Sequence, residues 1–355
     1  MKALVLSGGS GTRLRPLSYS MPKQLIPIAG KPVLEHVLEN VRALGVTEVG
    51  VVVGDWADQI TAELGDGARL GMRLTYIRQH EPLGLAHCVR LARPFLGDED
   101  FVMYLGDNML PEGVSDVARD FRATRPAAQV VVHQVEDPSA FGVAVVDAKG
   151  AVCHVVEKPR TPVSDLALVG VYFFTSAIHR ACASVPTGLR GELEITDAIQ
   201  WLLTHGAEVR ASRHLGYWRD TGRVEDVLHC NRRLMSAIRP EVLGERAAGS
   251  ELVGLVRVEA GARVTRSRVE GPAIIGAGTV VEDSHLGPYT ALGEGCTVRD
   301  TRMCDSILLD GARVEGVRGL HGSLIGRGAV VGTGGEPDPY HRLVVGDHAR
   351  IKVAA

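Results

Sequence analysis

The sequence has few cysteines, and none of them is spaced as a known motif. Six cysteines occur in 355 residues, with no Cys-x-x-Cys pair and no other metal-ligand spacing. This pattern excludes a cysteine-based metal site and predicts reduced thiols, mostly buried as small apolar side chains. The cysteines are Cys88, Cys153, Cys182, Cys230, Cys296 and Cys304.

Long hydrophobic runs and an excess of basic charge are also missing. No window approaches the roughly 18 consecutive apolar residues of a membrane-spanning helix, and the first apolar run reaches Gly8 too soon for a signal peptide. The formal net charge of −3 provides no basic field for nucleic acid. We therefore expect a cytoplasmic protein with neither a membrane nor a nucleic acid as partner, in which any anion site is a local cluster.

A glycine-rich segment with two cations stands near the N-terminus. Residues 4–25 read LVLSGGSGTRLRPLSYSMPKQL. The apolar residues up to Leu6 predict a buried strand, and the glycines after it predict a sharp turn whose N–H groups face an anion. Arg13 and Lys23 add positive charge, which indicates phosphate binding. Either cation alone would also suit a solvated surface loop.

Two common nucleotide motifs do not fit this segment. It lacks the Gly-Lys-Ser/Thr ending of a P-loop. No acidic residue about 20 positions further on closes a second strand, as a dinucleotide-binding fold requires. The segment therefore predicts a nucleotide or phosphate site of another type.

Short apolar runs alternate with helical patterns up to about Leu234. This alternation is typical of a doubly wound α/β domain, in which ligands bind beyond the carboxyl ends of the strands. We predict that residues 1–238 form such a domain, with the glycine-rich turn at that edge. Strands are predicted over 2–6, 49–53, 74–77 and 101–105, and helices over 32–44, 57–64 and 85–92.

Two aspartates are candidates for a metal site. Asp107 directly follows the predicted strand over 101–105, and Asp220 precedes a turn glycine in the segment Trp-Arg-Asp-Thr-Gly. Mg²⁺ keeps most of its waters and takes only one or two carboxylates beside phosphate oxygens. These positions therefore suit a magnesium site, although turn formation is the simpler use of either residue.

A six-residue rhythm begins after a polar connecting segment at residues 239–250. A period of six with glycine-rich corners is typical of a parallel β-helix, and a sandwich of short strands would not need it. We predict this β-helix over residues 239–355, with a loop at Gly334–Tyr340. The repeating apolar positions are Ile274, Val280, Leu286, Leu292, Val298, Cys304, Leu308, Val314, Leu320, Leu324 and Val330.

Three motifs resemble those of one enzyme family. Gly-Gly-x-Gly-Thr-Arg-Leu followed by Pro-Lys-Gln-Leu resembles the signature of the sugar-1-phosphate nucleotidylyltransferases. Residues 190–197, reading RGELEITD, resemble a block of the thymidylyltransferase branch. With the C-terminal repeat, the resemblance covers the whole chain and is to the long-form glucose-1-phosphate thymidylyltransferases. It implies a Rossmann-like, doubly wound mixed sheet followed by a left-handed parallel β-helix, and we expect a homo-oligomer assembled through that β-helix.

The resemblance implies transfer of dTMP from dTTP to glucose-1-phosphate, with Mg²⁺ as cofactor and pyrophosphate as the second product. The implied catalytic residues are Arg13 at the β- and γ-phosphates, Lys23 at the α-phosphate, and Asp107 and Asp220 as joint ligands of Mg²⁺. The implied nucleotide-binding residues are Leu6, Gly8, Gly9, Gly11, Thr12, Arg13, Gln24, Gln79 and Gly84.

One glutamate and two cations are implied at the sugar phosphate. Glu157 would accept hydrogen bonds from sugar hydroxyls, while Lys158 and Arg190 would bind the phosphate. Thr196 and Asp197 begin a predicted helix, with Thr196 as its cap and Asp197 at the positive end of its dipole. The implied sugar-phosphate-binding residues are Gly142, Glu157, Lys158, Val169, Gly170 and Arg190.

Specificity rests on fewer residues, and alternatives stay open. Gln24 favours thymidine, because glutamate is common there in uridylyltransferases and an amide can both donate to and accept from a pyrimidine. Phe141 replaces the tyrosine of many short thymidylyltransferases, so a hydroxyl contact is absent there. The alternatives are a UTP- or GTP-dependent enzyme, a bifunctional acetyltransferase using His285 or His321, and a non-catalytic sensor of nucleotide sugars. Both histidines are expected to face solvent.

Overall fold

The computed structural model describes residues 1–9, 11–188 and 190–332, so the predicted loop at Gly334–Tyr340 lies outside the described residues. The chain forms two compact units, each assembled from several segments. Of the described residues, the first unit contains 1–9, 21–25, 33–188 and 190–220, and the second contains 11–20, 26–32 and 221–332.

The helices and the strands up to residue 220 are as follows. The strands are β1 (Lys2–Ser7), β2 (Pro27–Ile28), β3 (Lys31–Pro32), β4 (Glu48–Val53), β5 (Arg73–Arg78), β6 (Phe101–Leu105), β7 (Asn108–Met109), β8 (Ala128–Gln134), β9 (Gly142–Val146), β10 (Val152–Glu157), β11 (Leu166–Phe174), β12 (Val209–Arg213) and β13 (Arg219–Asp220). The helices are α1 (Val33–Ala43), α2 (Ala57–Leu64), α3 (Leu85–Leu91), α4 (Arg93–Leu96), α5 (Ser115–Thr124), α6 (Ala177–Ser184), α7 (Ile195–Thr204) and α8 (Val224–Met235).

A mixed sheet forms the centre of the first unit. Its strands run in the order β10-β9-β11-β6-β1-β4-β5, with β8 beside β11 and β12 beside β8. Strands β6, β1, β4 and β5 are parallel, whereas β11 is antiparallel to β6. The central strands are almost wholly buried, as expected for strands covered on both faces. The predicted doubly wound mixed sheet is confirmed.

Most predicted element boundaries in this unit fall within two residues of the observed ones. The helix over 57–64 and the strand over 101–105 coincide with α2 and β6. The helix predicted to start at Pro32 begins at Val33 instead. Pro32 belongs to β3, which pairs antiparallel with β2 in a two-stranded hairpin.

The C-terminal part of the second unit consists of three sheets of parallel strands, which fit the predicted left-handed β-helix. The first sheet contains β14 (Glu241–Val242), β17 (Val256–Val258), β20 (Ala273–Ile275), β23 (Thr290–Leu292), β26 (Ile307–Leu308) and β29 (Leu324–Ile325). The second contains β15 (Glu245–Arg246), β18 (Arg263–Thr265), β21 (Val280–Glu282), β24 (Thr297–Arg299), β27 (Arg313–Glu315) and β30 (Val330–Gly332). The third contains β16 (Glu251–Val253), β19 (Arg268–Glu270), β22 (His285–Leu286), β25 (Arg302–Cys304) and β28 (Arg318–His321).

Most coils of the β-helix are 17 residues long, which corrects the predicted rhythm. Val264 pairs with Val281 and Val281 with Val298, so these two steps are 17 positions (281 − 264 and 298 − 281), whereas the next step, from Val298 to Val314, is 16 (314 − 298). Three repeats of six make 18, so a strict six-residue rhythm slips by one position per coil. Leu286, Leu292, Val298, Leu308, Val314 and Leu320 face the interior as predicted, but Ile275, Val281, Met303, Ile325 and Val331 do so in place of Ile274, Val280, Cys304, Leu324 and Val330.

Other parts of the second unit pack against the β-helix. Arg232 on α8 forms a bidentate ion pair with the buried carboxylate of Asp305, with its Nε 2.6 Å from Oδ1. Asn231, one residue earlier, accepts a hydrogen bond from the Ala29 amide at 2.9 Å and donates to the Tyr289 carbonyl at 3.2 Å. One buried asparagine therefore joins an N-terminal segment, a helix and the repeat.

The sequence predicts no membrane-spanning helix, and it predicts reduced thiols that are mostly buried. Within the described residues, no helix is long and apolar enough to cross a membrane. All six cysteines are free thiols, and Cys88, Cys182, Cys230 and Cys296 are buried. Burial raises the pKa of Cys88 and of Cys182 to about 12, so both remain protonated at neutral pH.

Candidate active site

The glycine-rich turn follows β1, at the carboxyl end of the parallel strands. A Cβ atom on Gly8 would lie 3.3 Å from Oε1 of Gln79, and one on Gly9 would lie 3.3 Å from Cε of Lys23. Neither glycine has a positive φ, so these two glycines allow the close approach of neighbouring side chains and do not serve a left-handed turn. Leu6 before them is buried in β1, 7% exposed.

Gly11, Thr12 and Arg13 belong to the second compact unit. Gly11 adopts φ 63° and precedes a short 3₁₀ turn over Thr12–Leu14. The Ser18 hydroxyl donates to the Gly11 carbonyl at 2.7 Å, and Leu14 is fully buried. Of the three glycines predicted to form the turn, Gly11 adopts a left-handed conformation, and Arg13 stands on a backbone that is anchored on both sides.

Lys23 and Asp107 form a buried ion pair within the first unit. The Lys23 ammonium contacts Oδ2 of Asp107, and their side chains are only 10% and 17% exposed. Lys23 opens a short 3₁₀ turn over 23–25, and Asp107 follows β6 by two residues. Two predicted catalytic side chains, 84 positions apart in sequence, therefore meet at one end of the sheet.

Asn108 connects the metal-site candidates. Its Nδ2 donates to Oδ1 of Asp107 at 3.0 Å, and its Oδ1 accepts the indole N–H of Trp218 at 2.7 Å. Strands β7 and β13 pair antiparallel with Asp220 opposite Asn108. The two aspartates predicted as metal ligands therefore lie beside and opposite one buried asparagine.

The donor set suits a hard divalent cation. Asp107 and Asp220 offer carboxylate oxygens from two neighbouring backbone positions, and Mg²⁺ takes one or two carboxylates when phosphates and waters complete its shell. Within the described residues, no group of three or more His, Cys, Asp or Glu side chains is placed to hold a metal. An ion held by two carboxylates would need substrate oxygens as further ligands, which agrees with a site that acts on phosphates.

Aromatic rings surround the indole of Trp218. The Phe141 ring packs edge-on against it with ring centroids 5.0 Å apart, and His133 lies 5.6 Å away. The His133 Nδ1 atom is 2.8 Å from the carbonyl of His214, so the ring carries a proton on that nitrogen. Phe141 thus packs against the residue that holds Asn108.

The predicted base-binding residues are buried or backbone-constrained. Gln24 is 2% exposed and Gln79 is 8% exposed. Gly84 has φ 98°, and a Cβ there would lie 2.5 Å from the carbonyl oxygen of Leu193. A side chain at Gly84 is therefore excluded, because it would collide with the backbone of Leu193 within the residue 190–197 block.

Glu157 is the centre of the predicted sugar-binding group. Thr196 donates to its Oε2 at 3.2 Å, and the Lys158 ammonium lies 3.4 Å from its Oε1. A Cβ on Gly142 would lie 3.1 Å from the same carboxylate and 2.9 Å from Leu168. Burial raises the pKa of the Glu157 carboxyl and the nearby Glu194 raises it further, against the opposing effect of Lys158 and Arg190.

Arg190 is surrounded by carboxylates. Its guanidinium lies 2.5 Å from Oε1 of Glu194, 3.2 Å from Glu157 and 3.9 Å from Glu192. The Glu194 side chain is 8% exposed and that of Arg190 is 40% exposed, so only the carboxylate of this ion pair is buried. Arg190 is thus brought to the Glu157 group as predicted, and its role at the phosphate stays a prediction.

The cap predicted for the helix in this block is wrong. Helix α7 begins at Ile195 with Glu194 at the N-cap position and no side-chain cap hydrogen bond. Thr196 lies inside the first turn, where its hydroxyl donates to Glu157 instead. Asp197 lies in that turn as predicted, near the positive end of the dipole.

Val169 and Gly170 lie at an irregularity in β11. The register against β8 shifts between Leu168 and Tyr172, and Gly170 has φ 81°. A Cβ on Gly170 would lie 2.7 Å from Leu105 and 3.0 Å from Nδ2 of Asn108. The bulge therefore brings bare backbone against the asparagine that contacts Asp107.

Sequence reasoning missed three residues of this site. Asn108 and Trp218 adjoin predicted metal ligands, and Glu194 lies inside the RGELEITD block, but none was assigned a role. Each of the three contacts a residue that is at least four positions away in the sequence. The contacts join positions 110 apart for Trp218 and Asn108, which no local pattern reveals.

Comparison with known proteins places the chain among similar sequences and structures. Residues 2–237 match the model of the nucleotidyl transferase family. A glucose-1-phosphate thymidylyltransferase of Streptomyces griseus is 51% identical over 355 residues, covering 100% of each chain, and one of Streptomyces antibioticus is 49% identical over 354 residues, covering 99% of each. The crystal structure of a Bacillus anthracis protein assigned as a glucose-1-phosphate thymidylyltransferase superposes with a TM-score of 0.63 at 29% identity, covering 68% of this chain and 97% of that one.

Proposed function

Because the chain belongs to the nucleotidyl transferase family, we propose that it is a glucose-1-phosphate thymidylyltransferase. It transfers the dTMP group of dTTP to glucose-1-phosphate and releases pyrophosphate. The observation that carries this conclusion is the identity of about half of all positions to two such enzymes over essentially the whole chain. Similarity limited to the nucleotidyl transferase domain would support only the wider reaction class.

The chemistry needs no covalent intermediate on the protein. A phosphate oxygen of glucose-1-phosphate forms a bond to the α-phosphorus of dTTP, and the bond from that phosphorus to the β-phosphate oxygen breaks. The protein must hold two repelling anions together and stabilise the charge of the leaving pyrophosphate. In this proposal Lys23 contacts the α-phosphate and Arg13 the β- and γ-phosphates.

Nucleotidyltransferases of this family generally use a divalent metal ion, and we propose Mg²⁺ held by Asp107 and Asp220. The bound ion would neutralise phosphate charge and polarise the α-phosphorus. Asn108 fixes Asp107 by a hydrogen bond to Oδ1. Lys23 contacts the other oxygen, Oδ2. When no phosphate is bound, Asp107 therefore neutralises the charge of the Lys23 ammonium.

The sugar phosphate is proposed to bind at the Glu157 group. Glu157 accepts hydroxyl hydrogen bonds, and Lys158 and Arg190 neutralise the phosphate. A Cβ would come within 2.9 Å of Leu168 at Gly142 and within 2.7 Å of Leu105 at Gly170, the residue after Val169 in β11, so a larger residue at either glycine would force its neighbours to move. Arg190 already forms ion pairs with Glu194 and Glu157. To bind a phosphate, its guanidinium would have to break at least one of these contacts.

Gln24 is proposed to contact the edge of the pyrimidine base. This amide is 2% exposed, so its hydrogen-bonding groups are desolvated and a mismatched base edge would leave one of them without a partner. Its Nε2 lies 3.8 Å from the position of a Cβ on Gly9, beside the glycine-rich turn. Thymine and uracil present the same hydrogen-bonding edge, so Gln24 can distinguish them from other bases, and the preference for dTTP over UTP rests on the identity to two thymidylyltransferases.

Assembly into a homo-oligomer through the β-helix is also proposed. The third of its sheets carries a row of polar side chains in register on successive coils, made of Arg268, His285, Arg302 and Arg318. Side chains in register on successive coils present a flat surface of fixed spacing, which suits contacts with another copy. His285 is partly exposed beside Glu270 and His321 is exposed.

Pyrophosphate release by the purified chain tests the proposed reaction. dTTP, UTP and GTP are crossed with glucose-1-phosphate, mannose-1-phosphate and N-acetylglucosamine-1-phosphate in the presence of Mg²⁺. We expect the highest kcat/KM with dTTP and glucose-1-phosphate. A preference for GTP with mannose-1-phosphate would contradict the specificity but keep the mechanism, and no turnover with retained nucleotide binding would indicate a sensor.

A further inference from the structure

The amide of Gln79 is held in one direction by its neighbours. Its Nε2 lies 3.3 Å from the carbonyl oxygen of Gly84 and 3.0 Å from Nδ1 of His87. A carbonyl oxygen can only accept, so the atom facing Gly84 must be the donating nitrogen of the amide. The backbone of Gln79 is fixed as well, because its N–H donates to the Val53 carbonyl at 2.8 Å.

The oxygen of the same amide faces the glycine-rich turn. A Cβ on Gly8 would lie 3.3 Å from Oε1 of Gln79, and the next atom it would meet is 3.9 Å away, on Gly54. Gly8 therefore leaves the space in front of this oxygen without a side chain. Gln79 itself is 8% exposed, so its oxygen is a desolvated acceptor that gains from a donor placed in that space.

His87 can hold the amide only in its neutral form. With the Gln79 nitrogen donating, Nδ1 of His87 must accept, which places the ring proton on Nε2. Burial lowers the pKa of His87, the neighbouring Arg90 lowers it further, and Glu81 opposes them. The Cys88 thiol donates to the same Gly84 carbonyl at 3.4 Å, and its raised pKa keeps it protonated. The surroundings therefore favour the acceptor state of His87 at neutral pH.

We propose that His87 is a positioning residue that fixes the direction of the Gln79 amide, so that Oε1 accepts the ring N–H of a thymine or uracil base and rejects cytosine. This inference rests on the proposed function, since it assigns the base to the space beside Gly8. Thymine and uracil carry a hydrogen on N3, whereas N3 of cytosine is a bare acceptor. A fixed acceptor pairs with the former and opposes the latter, while an amide free to turn over would accommodate either.

Substitution of His87 tests whether the direction of the Gln79 amide, and not only its presence, determines which base is accepted. In His87→Leu, the side chain has similar bulk but no acceptor, so we expect the ratio of kcat/KM for dTTP over dCTP to fall at least tenfold. In His87→Gln, the side-chain oxygen can accept from Gln79, so the ratio should stay within about threefold of the unsubstituted protein. His80→Leu changes an exposed histidine of the same loop and serves as the matched control.

A binding measurement adds a readout that a purely structural role would not change. dTDP-glucose is the probe, because its diphosphate has no ionisation near neutral pH, and its affinity is measured by calorimetry between pH 7.5 and pH 5. Protonation gives His87 an Nδ1–H that opposes the Gln79 donor, so the affinity should fall as the pH drops below 6.5, the ordinary value of histidine. His87→Gln cannot titrate and should show at least threefold less change over the same interval.

The results distinguish a failure of the proposed function from a failure of the role proposed for His87. Absence of dTDP-glucose binding by the unsubstituted protein at pH 7.5 would contradict the proposed function itself. Normal binding together with an unchanged dTTP to dCTP ratio in His87→Leu would overturn the role of His87. Thermal unfolding identifies a variant that fails to fold, and in that case the comparison of pH profiles between the unsubstituted protein and His87→Gln decides the question.

Discussion

Trp218 donates its indole N–H to Oδ1 of Asn108 at 2.7 Å, although the two residues are 110 positions apart. Asn108 in turn orients Asp107, because its Nδ2 donates a hydrogen bond to Oδ1 of that carboxylate. The carboxylate proposed to hold the metal ion is thus oriented from a distant segment of the chain. The proposed geometry at Asp107 therefore depends on a tryptophan that is not itself a proposed metal ligand.

Trp218→Phe should lower turnover while leaving the fold intact. Phenylalanine keeps a ring against Phe141 but removes the donor, so the buried oxygen of Asn108 loses its partner at a cost of about 1–3 kcal/mol. We expect kcat to fall about tenfold, with a higher Mg²⁺ concentration needed for half-maximal rate. Trp201→Phe, at a tryptophan stacked on His205, is the control and should leave both values unchanged.

Asp107→Asn should reduce pyrophosphate release at least tenfold, roughly 1.4 kcal/mol of activation free energy. The substitution keeps the shape and the hydrogen bond to Asn108 but removes the negative charge that pairs with Lys23 and is proposed to bind Mg²⁺. Asp116→Asn, at an exposed carboxylate on α5, is the control. Turnover within twofold of normal for Asp107→Asn would rule out the assigned role.

Lys23→Ala should also lower turnover at least tenfold, because the proposed cation at the α-phosphate is lost. The effect should be on kcat more than on the KM for dTTP if Lys23 acts mainly on charge that develops during transfer. Lys149→Ala removes an exposed lysine from a turn and provides the control. Equal rates for the two variants would contradict the assignment of Lys23.

Glu157 gives a pH dependence with a defined sign. Its pKa is raised above 4.5, so the carboxyl becomes neutral at a higher pH than an ordinary glutamate as the solution is acidified. The neutral form accepts sugar hydroxyls less well, so the KM for glucose-1-phosphate should rise as pH falls toward that raised value. Comparison with Glu157→Gln at each pH removes the titration of the substrate phosphate, and identical profiles for the two proteins would exclude Glu157 as the cause.

Asp305→Asn should destabilise the second unit. Asp305 is 6% exposed and forms a bidentate pair with Arg232, whose side chain is 42% exposed, so solvent weakens the interaction and we expect a loss of about 1–2 kcal/mol. Asp300→Asn changes an exposed carboxylate 3.4 Å from Arg318 and should cost under about 0.5 kcal/mol. Denaturant unfolding of the full chain measures both.

Local pattern was sufficient for most of the fold and for part of the site. Asp107 was predictable because it directly follows a strongly apolar strand, and the β-helix was predictable because its corners repeat. The interior register was not, since a coil of 17 residues differs from three sixes by one position and the error accumulates. The role of Thr196 was missed because its hydroxyl meets Glu157 across 39 positions rather than capping its own helix.

The second unit joins chain segments that are synthesised far apart in time. Gly30 lies against Arg257, where a Cβ would come within 3.0 Å of the guanidinium, and 227 residues (257 − 30) separate the two. At about 5–20 residues per second, Arg257 leaves the ribosome roughly 10–45 s after Gly30. Residues 11–20 and 26–32 belong to this unit, so through that interval they lack the partners that the repeat provides.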